Sequence, residues 1–157
     1  MNKQDDESKR TDGAAVDLHF IARGARRAAE WYKAIFGAEE LGNIPVPGDK
    51  YMQIHLRFGA TNAMLADEFP EMGALSPQAI GGTAVVFHYT TADARTLWDQ
   101  ALKAGAEVVQ PLKEQFWGEL YGQFRDPFGH RWGISQKLRE VDPEEIARTA
   151  WQLFGGA

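Results

Sequence analysis

Cysteine is absent from the 157 residues, which excludes a disulfide framework, a thiolate zinc site, an iron–sulfur cluster and a cysteine nucleophile. Basic residues are outnumbered, 17 Lys and Arg against 22 Asp and Glu. The chain therefore carries a formal charge of −5 and lacks the excess of cations that nucleic-acid phosphates require. No apolar run approaches the ~20 residues of a membrane helix. Residues 1–13 (MNKQDDESKRTDG) have too little apolar content for a secretory signal and read as a mobile tail. The expectation is a soluble, cytoplasmic protein with neither a nucleic-acid nor a membrane partner. Nucleophile and phosphate motifs are missing as well: there is no G-x-S-x-G, no P-loop, and no G-x-G-x-x-G with its acidic partner.

What remains for chemistry is histidine: His19, His55, His88 and His130. The first of them falls in VDLHFIA (residues 16–22), where Leu18 and Phe20 alternate with Asp17, His19 and Ile21, as in a half-buried strand. Ala28, Trp31, Tyr32, Ile35 and Phe36 then recur at helical spacing, and Gly37 stands where a glycine ends a helix. Short strands follow at 39–44, 51–58 and 62–67. After a Pro/Gly-rich linker, residues 69–82, the pattern restarts: a strand at 83–90, a helix capped by Asp93 and ended by Gly105, then strands from Val108, at 121–125 and at 130–135.

The order strand–helix–strand–strand–strand thus occurs twice, and residue identities echo it. Tyr51, Gln53, Phe58 and Gly59 reappear as Tyr121, Gln123, Phe128 and Gly129, 70 residues on, with His55 meeting Arg125. Gly37-Ala38-Glu39 reappears as Gly105-Ala106-Glu107 at 68, and His19 meets His88 at 69. An ordered set of this kind reads as an internal repeat. One helix covers one face of a four-stranded unit. Leu18, Phe20, Val85, Phe87, Trp132 and Ile134 are expected beneath the helices. Asp17, His19, Gln53, His55, Val86, His88, Thr90, Arg125, Arg131 and Gly133 are expected to line a cleft between the two units.

The duplicated unit, with AAEWYKAIFGAEE, LADEFPEMG, KAGAEVVQPL, EQFWGELYGQFRDPFGHRWGIS and the closing DPEEI, resembles the glyoxalase/bleomycin-resistance/dioxygenase (vicinal oxygen chelate) superfamily, in its PhnB-like branch. The resemblance covers about residues 15–146. It implies an α+β fold of two tandem βαβββ modules forming a curved open barrel around a cleft, here followed by a C-terminal helix, and a homodimer. The boundaries expected are module one at 14–68 and module two at 83–137 within a single domain at 14–140, and the helix at 141–155. Metal-dependent members carry a ligand on the first strand and one near the last strand of each module. Carried over, those positions hold Asp17, Val86, Gly133, and Ala63 or Met64. Only Asp17 offers a hard donor, and Met suits softer metals, so no metal and no other cofactor is expected.

His19 and His88 are the candidate catalytic residues, as proton carriers, and also candidate ligand-binding residues. Gln53, His55, Phe116, Trp117, Tyr121 and Arg125 complete the ligand-binding set. The aromatic run supplies a stacking wall, and Arg125 a fork for an oxyanion or one half of an ion pair with Asp126, Glu119 or Asp17. Asp126-Pro127-Phe128-Gly129 reads as a turn and Arg26-Arg27 as a solvated helix face. Two functions compete. One is metal-independent binding of a small apolar or aromatic molecule. The other is a lyase, isomerase or dioxygenase using a divalent metal or histidine acid–base chemistry. Near the C-terminus, Asp142-Pro143 opens a helix whose stripe of Ile146, Ala150, Leu153 and Phe154, with Trp151 beside it, needs a partner surface.

Overall fold

The computed structural model describes residues 13–156. The expected tail, apart from Gly13, lies outside the described residues. The first half runs β1 (Leu18–Ile21), α1 (Ala25–Phe36), β2 (Glu39–Val46), β3 (Lys50–Phe58) and β4 (Thr61–Ala66). A 3-10 turn (Pro70–Met72) and a four-residue helix, α2 (Pro77–Ile80), break up the linker. The second half repeats the first as β5 (Val86–Thr90), α3 (Ala94–Lys103), β6 (Glu107–Glu114), β7 (Glu119–Arg125) and β8 (Arg131–Lys137), before the terminal helix α4 (Pro143–Leu153). Each half builds a four-stranded sheet of the same order, β1-β4-β3-β2 and β5-β8-β7-β6, with only the first pair parallel. The fold is therefore α+β, with two βαβββ units and open sheets that do not close into a barrel. No helix among the described residues is long and apolar enough to cross a membrane.

Local chemistry explains the helix ends. Gly37 adopts φ 63° and caps α1 through its N–H to Lys33 O, and the Asp93 side chain accepts from Thr96 N at the start of α3. The first N–H groups of α1 are satisfied from a distance by buried Asp67, whose Oδ1 accepts from Gly24 N (3.2 Å) and Ala25 N (2.9 Å). Gln136 does the same for Ala94 N of α3 (2.9 Å). Asp142 opens α4, accepting from Glu144 N.

The helix-facing sides of both sheets meet in one core. Phe36 packs 4.3 Å from Trp132, Tyr32 5.6 Å from Trp132, and Phe20 5.3 Å from Phe87, ring centre to ring centre. Polar contacts cross the same junction: Tyr32 Oη donates to Asp126 Oδ2 (2.6 Å), Trp31 Nε1 to Ala104 O and Tyr89 Oη to Phe36 O. His130, which is buried, donates from Nε2 to Ile21 O at 2.7 Å. A carbonyl can only accept, so Nε2 carries the proton. Because the helix sides face inward together, the opposite faces of the two sheets point away from the shared core. Val85, expected beneath a helix, is 56% exposed because it precedes β5.

The ladders correct the repeat offset on one strand. Gly42 pairs with His55 and Gln110 with Gln123, while His55 pairs with Met64 and Gln123 with Gly133. Hence β3 and β7 correspond at 68 residues rather than 70: His55 matches Gln123, Gln53 matches Tyr121 and Arg57 matches Arg125. His19 and His88 do correspond, since they pair with Met64 and Gly133. The echo of Tyr51 in Tyr121 misleads because the register shifts at Met52. Tyr51 ends up on the core side beneath the Arg26 guanidinium (4.6 Å), whereas Tyr121 lies on the outward face.

Arg26 is accordingly a half-buried, paired residue rather than part of a free solvated face, although Arg27 is exposed. Arg26 clamps Glu40 of β2 with two bonds (2.7 and 3.0 Å), and Lys33 adds a third (3.1 Å). The Arg26 hydrogen bond, against the opposing effect of burial and helped by Asn43 and Lys33, lowers the Glu40 pKa from the ordinary 4.5 to about 2. A depressed carboxylate stabilises fully above its unfolded value, and the gain disappears as pH falls through the folded one. Glu40→Gln is expected to lower stability by about 1 kcal/mol at pH 7, since solvent reaches Arg26. The gap between wild type and variant is expected to shrink below pH 4.5 and to vanish near pH 2, read by urea unfolding across that range.

Candidate functional site

Strand alternation on the second sheet gathers one polar and aromatic face. The cross-strand rows are His88–Gly133–Gln123, Thr90–Ser135–Tyr121 and Val86–Arg131–Arg125. The Tyr121 ring stacks on His88 with centroids 5.8 Å apart and planes at 16°. It can lie down on the sheet because residue 133 is glycine: a Cβ there would stand 2.8 Å from Tyr121 Oη. Trp117 meets Tyr121 edge-on at 5.8 Å, with Phe116 at 5.0 Å behind it. The Trp117 indole N–H is held by Glu119 Oε2 (2.9 Å).

The aromatic loop is fixed at its far end by Gly118. This residue has φ 91°, its carbonyl accepts from Leu138 N and Arg139 N, and a side chain there would strike the Arg139 carbonyl. Behind the rings runs a hydrogen-bond network. His88 Nε2 lies 2.9 Å from Ser135 Oγ, and Ser135 Oγ lies 3.2 Å from Thr90 Oγ1. Arg131 donates to Gln123 Oε1, and Gln123 Nε2 donates to Tyr121 Oη (2.7 Å).

The first sheet is plainer. Its matching row is His19–Met64–His55–Gly42, and its outward face holds the contact between the Gln53 amide and His55 Nε2 and the ion pair of Arg57 with Glu39. His19 is exposed. It lines a groove of about 370 Å³ along the free edges of β1 and β5, with Phe20, Leu75, Ile80, Val85 and Phe87. The candidate residues therefore divide: His19, Gln53 and His55 on one sheet, and His88, Trp117 and Tyr121 on the other, with Phe116 behind Trp117. Among the described residues no hydrogen bond or ring contact joins the two sets. The expected meeting of His19 and His88 across one cleft is not made within the chain, because the core binds the sheets by their helix sides. Arg125 pairs with Glu107 (3.6 Å), not with Asp126, Glu119 or Asp17.

Two important residues escaped the sequence reading. Ser135, fully buried, is the partner of His88, and its signal was parity with Gly133 on the same strand. Asp126, read as a turn residue, also accepts from Tyr32 and Trp132, and nothing local announces that.

The strand positions at which the resemblance places metal ligands are Asp17, Met64, Val86 and Gly133, the ladder deciding for Met64 over Ala63. One oxygen donor, a thioether, an isopropyl group and no side chain at all do not fit a divalent cation. At Gly133 the Tyr121 ring already fills the space a ligand side chain would need. Nowhere among the described residues do three His, Cys, Asp or Glu side chains gather as a metal site.

The model of the Glyoxalase/Bleomycin resistance protein/Dioxygenase superfamily matches residues 17–134. An uncharacterized protein of Mycobacterium bovis is 39% identical over 135 residues, covering 84% of this chain and 89% of the relative. Among solved structures, TioX from Micromonospora superposes with TM-score 0.62 at 24% identity, covering 80% of this chain and all of that one. A Bacillus cereus structure described as a putative 3-demethylubiquinone-9 3-methyltransferase, PhnB protein, gives 0.61 at 13% identity over 78% of this chain and 99% of that one. These two likenesses show the fold. With two βαβββ units in tandem and a family model spanning both, the chain belongs to the glyoxalase/bleomycin resistance protein/dioxygenase superfamily.

Proposed function

We propose that this chain binds a small planar molecule with an apolar or aromatic body on the outward face of the second sheet, without a metal at the superfamily's ligand positions. One observation carries the reading: the array of Trp117, Tyr121 and His88, three rings in edge and stacked contact, with Tyr121 laid flat over Gly133. Rings already held in place can cover a flat ligand at little conformational cost. The few fixed polar groups beside them, Ser135, Thr90 and Gln123, suit a binding face. The sequence segments quoted above, with the Bacillus cereus likeness, support the PhnB-like branch as the finer placement. We read the working form as a homodimer. Trp151, Leu153 and Phe154 of the terminal helix segment are 68%, 65% and 88% exposed, an apolar stripe that a second copy would cover.

Thermal unfolding with 2-naphthol, indole and quinoline tests the reading. A probe at a hundred times its Kd adds about 2.7 kcal/mol to the native state, so the melting midpoint is expected to rise. Trp117→Ala and His88→Ala are expected to abolish the rise while His19→Ala, on the other sheet, keeps it. A midpoint unmoved by all three probes overturns the reading. Light scattering on the same sample is expected to give twice 17.5 kDa, and the single mass would refute the dimer.

A further inference from the structure

The second sheet holds a cation that the fold does not require. Arg131 opens β8 and sits directly across the ladder from Arg125, so two guanidinium side chains leave the same face side by side. Like charges in that relation destabilise a sheet. Arg125 is offset by Glu107 on the next strand, but Arg131 has no carboxylate partner among the described residues. Its side chain is half-buried, and its Nε is shielded from water without an acceptor. Taking part of a cation out of water without a counter-charge is costly.

The first sheet serves as an internal control. There the residue across from Arg57 is Asn62, a neutral side chain, and Arg57 is paired with Glu39. The same architecture therefore stands without a cation at this place. Arg131 is nevertheless oriented. Gln123 turns its oxygen to Arg131 and its amide N–H to Tyr121 Oη, which leaves the Tyr121 proton free to point outward. Arg131, Gln123 and Tyr121 form one chain around Gly133, next to the rings of the proposed binding face.

We propose that Arg131 is the anchor for an anionic group on the ligand, and that the ligand class is a planar aromatic acid. Its carboxylate takes the free N–H groups of the Arg131 guanidinium and the Tyr121 hydroxyl. Its ring lies against the outer side of Tyr121, the ring that covers Gly133, with His88 and Trp117 beside it. The planar fork of arginine suits a carboxylate, and the anion supplies the charge that the sheet itself withholds. This inference rests on the aromatic-binding reading and adds the sign of the ligand's charge.

The experiment titrates the full chain with benzoate, 2-naphthoate and indole-3-acetate, each against its own primary amide, by calorimetry. Wild type is expected to bind at least one acid about tenfold or more tightly than its amide, the effect of one charge-assisted contact. Arg131→Gln is expected to bring that ratio to about one, and Arg131→Lys to retain part of it. Acids and amides bound alike by wild type, or an acid preference that survives in Arg131→Gln, overturns the anchor and leaves the aromatic reading standing. Neither acids nor amides binding overturns both. An unliganded melting midpoint for Arg131→Gln equal to wild type or higher is expected, because the variant removes an uncompensated charge. A large drop would mean that Arg131 serves the fold, against the proposal.

Discussion

Asp126→Ala destabilises the chain by about 3–5 kcal/mol, read as a fall in the urea midpoint at unchanged slope. The carboxylate is 3% exposed and accepts four hydrogen bonds. Oδ1 takes Phe128 N (2.8 Å) and His130 N (3.0 Å), which shapes the turn between β7 and β8. Oδ2 takes Tyr32 Oη (2.6 Å) from the first half and Trp132 Nε1 (2.9 Å) from the second. Alanine would leave a buried phenol and a buried indole N–H without acceptors, and each unmet group costs about 1–3 kcal/mol. Burial, reinforced by this carboxylate, already holds the Tyr32 phenol well above its ordinary pKa, so the phenol has no ionised form to fall back on near neutrality. Asp126→Asn is expected to lie between, keeping the oxygen for the turn but setting an amide against the indole. A loss below about 1 kcal/mol for the alanine variant would show that the turn and the junction do not depend on this residue.

Trp132→Ala is expected to cost a similar amount, about 3–5 kcal/mol. Trp132 is 2% exposed and touches rings from both halves: Phe36 at 4.3 Å, Tyr32 at 5.6 Å and Phe58 at 5.5 Å from the first, and Phe87 at 5.0 Å from the second. Its removal opens a cavity where α1 meets the second sheet, and rigid strands on one side limit collapse. Trp132→Phe keeps most of the packing and loses the bond to Asp126, for about 1–2 kcal/mol. Losses in Asp126→Ala and Trp132→Phe are expected to be less than additive, since both delete the same bond. Strict additivity in urea unfolding would argue that the indole N–H draws no stability from Asp126.

Much of the fold could be read from local pattern, because local pattern creates it. The alternation through Leu18 and Phe20, the glycine at 37, and the caps at Asp93 and Asp142 act over a few residues, and each lies where expected. Residue identity failed where long-range geometry decides. The shift at Met52 cannot be seen in YMQIHLRF, yet it sends Tyr51 to one side of the sheet and Gln53 to the other. The packing of the halves was also invisible. The same periodicity serves two units joined by their helix sides or by their polar sides, and only contacts such as Tyr32 to Asp126, 94 residues apart, select one. Strand faces can be read from parity, which is local, as the rows through His88 and His19 show. Which side chains meet depends on the arrangement of the halves, which is long-range.

The shared core also bears on how the two halves are free to diverge in evolution. In a unit folding alone, a change on the helix side would be felt only within that unit. Here a change on the helix side of one sheet is felt by the other half, as Phe36 against Trp132 illustrates. The outward faces carry no such mutual constraint. There the two copies have parted company at matched positions: Gln53 against Tyr121, His55 against Gln123, Asn62 against Arg131, and Met64 against Gly133. Joining the halves back to back leaves the two outward faces free to differ, and here one carries the ring array while its twin keeps a plainer face.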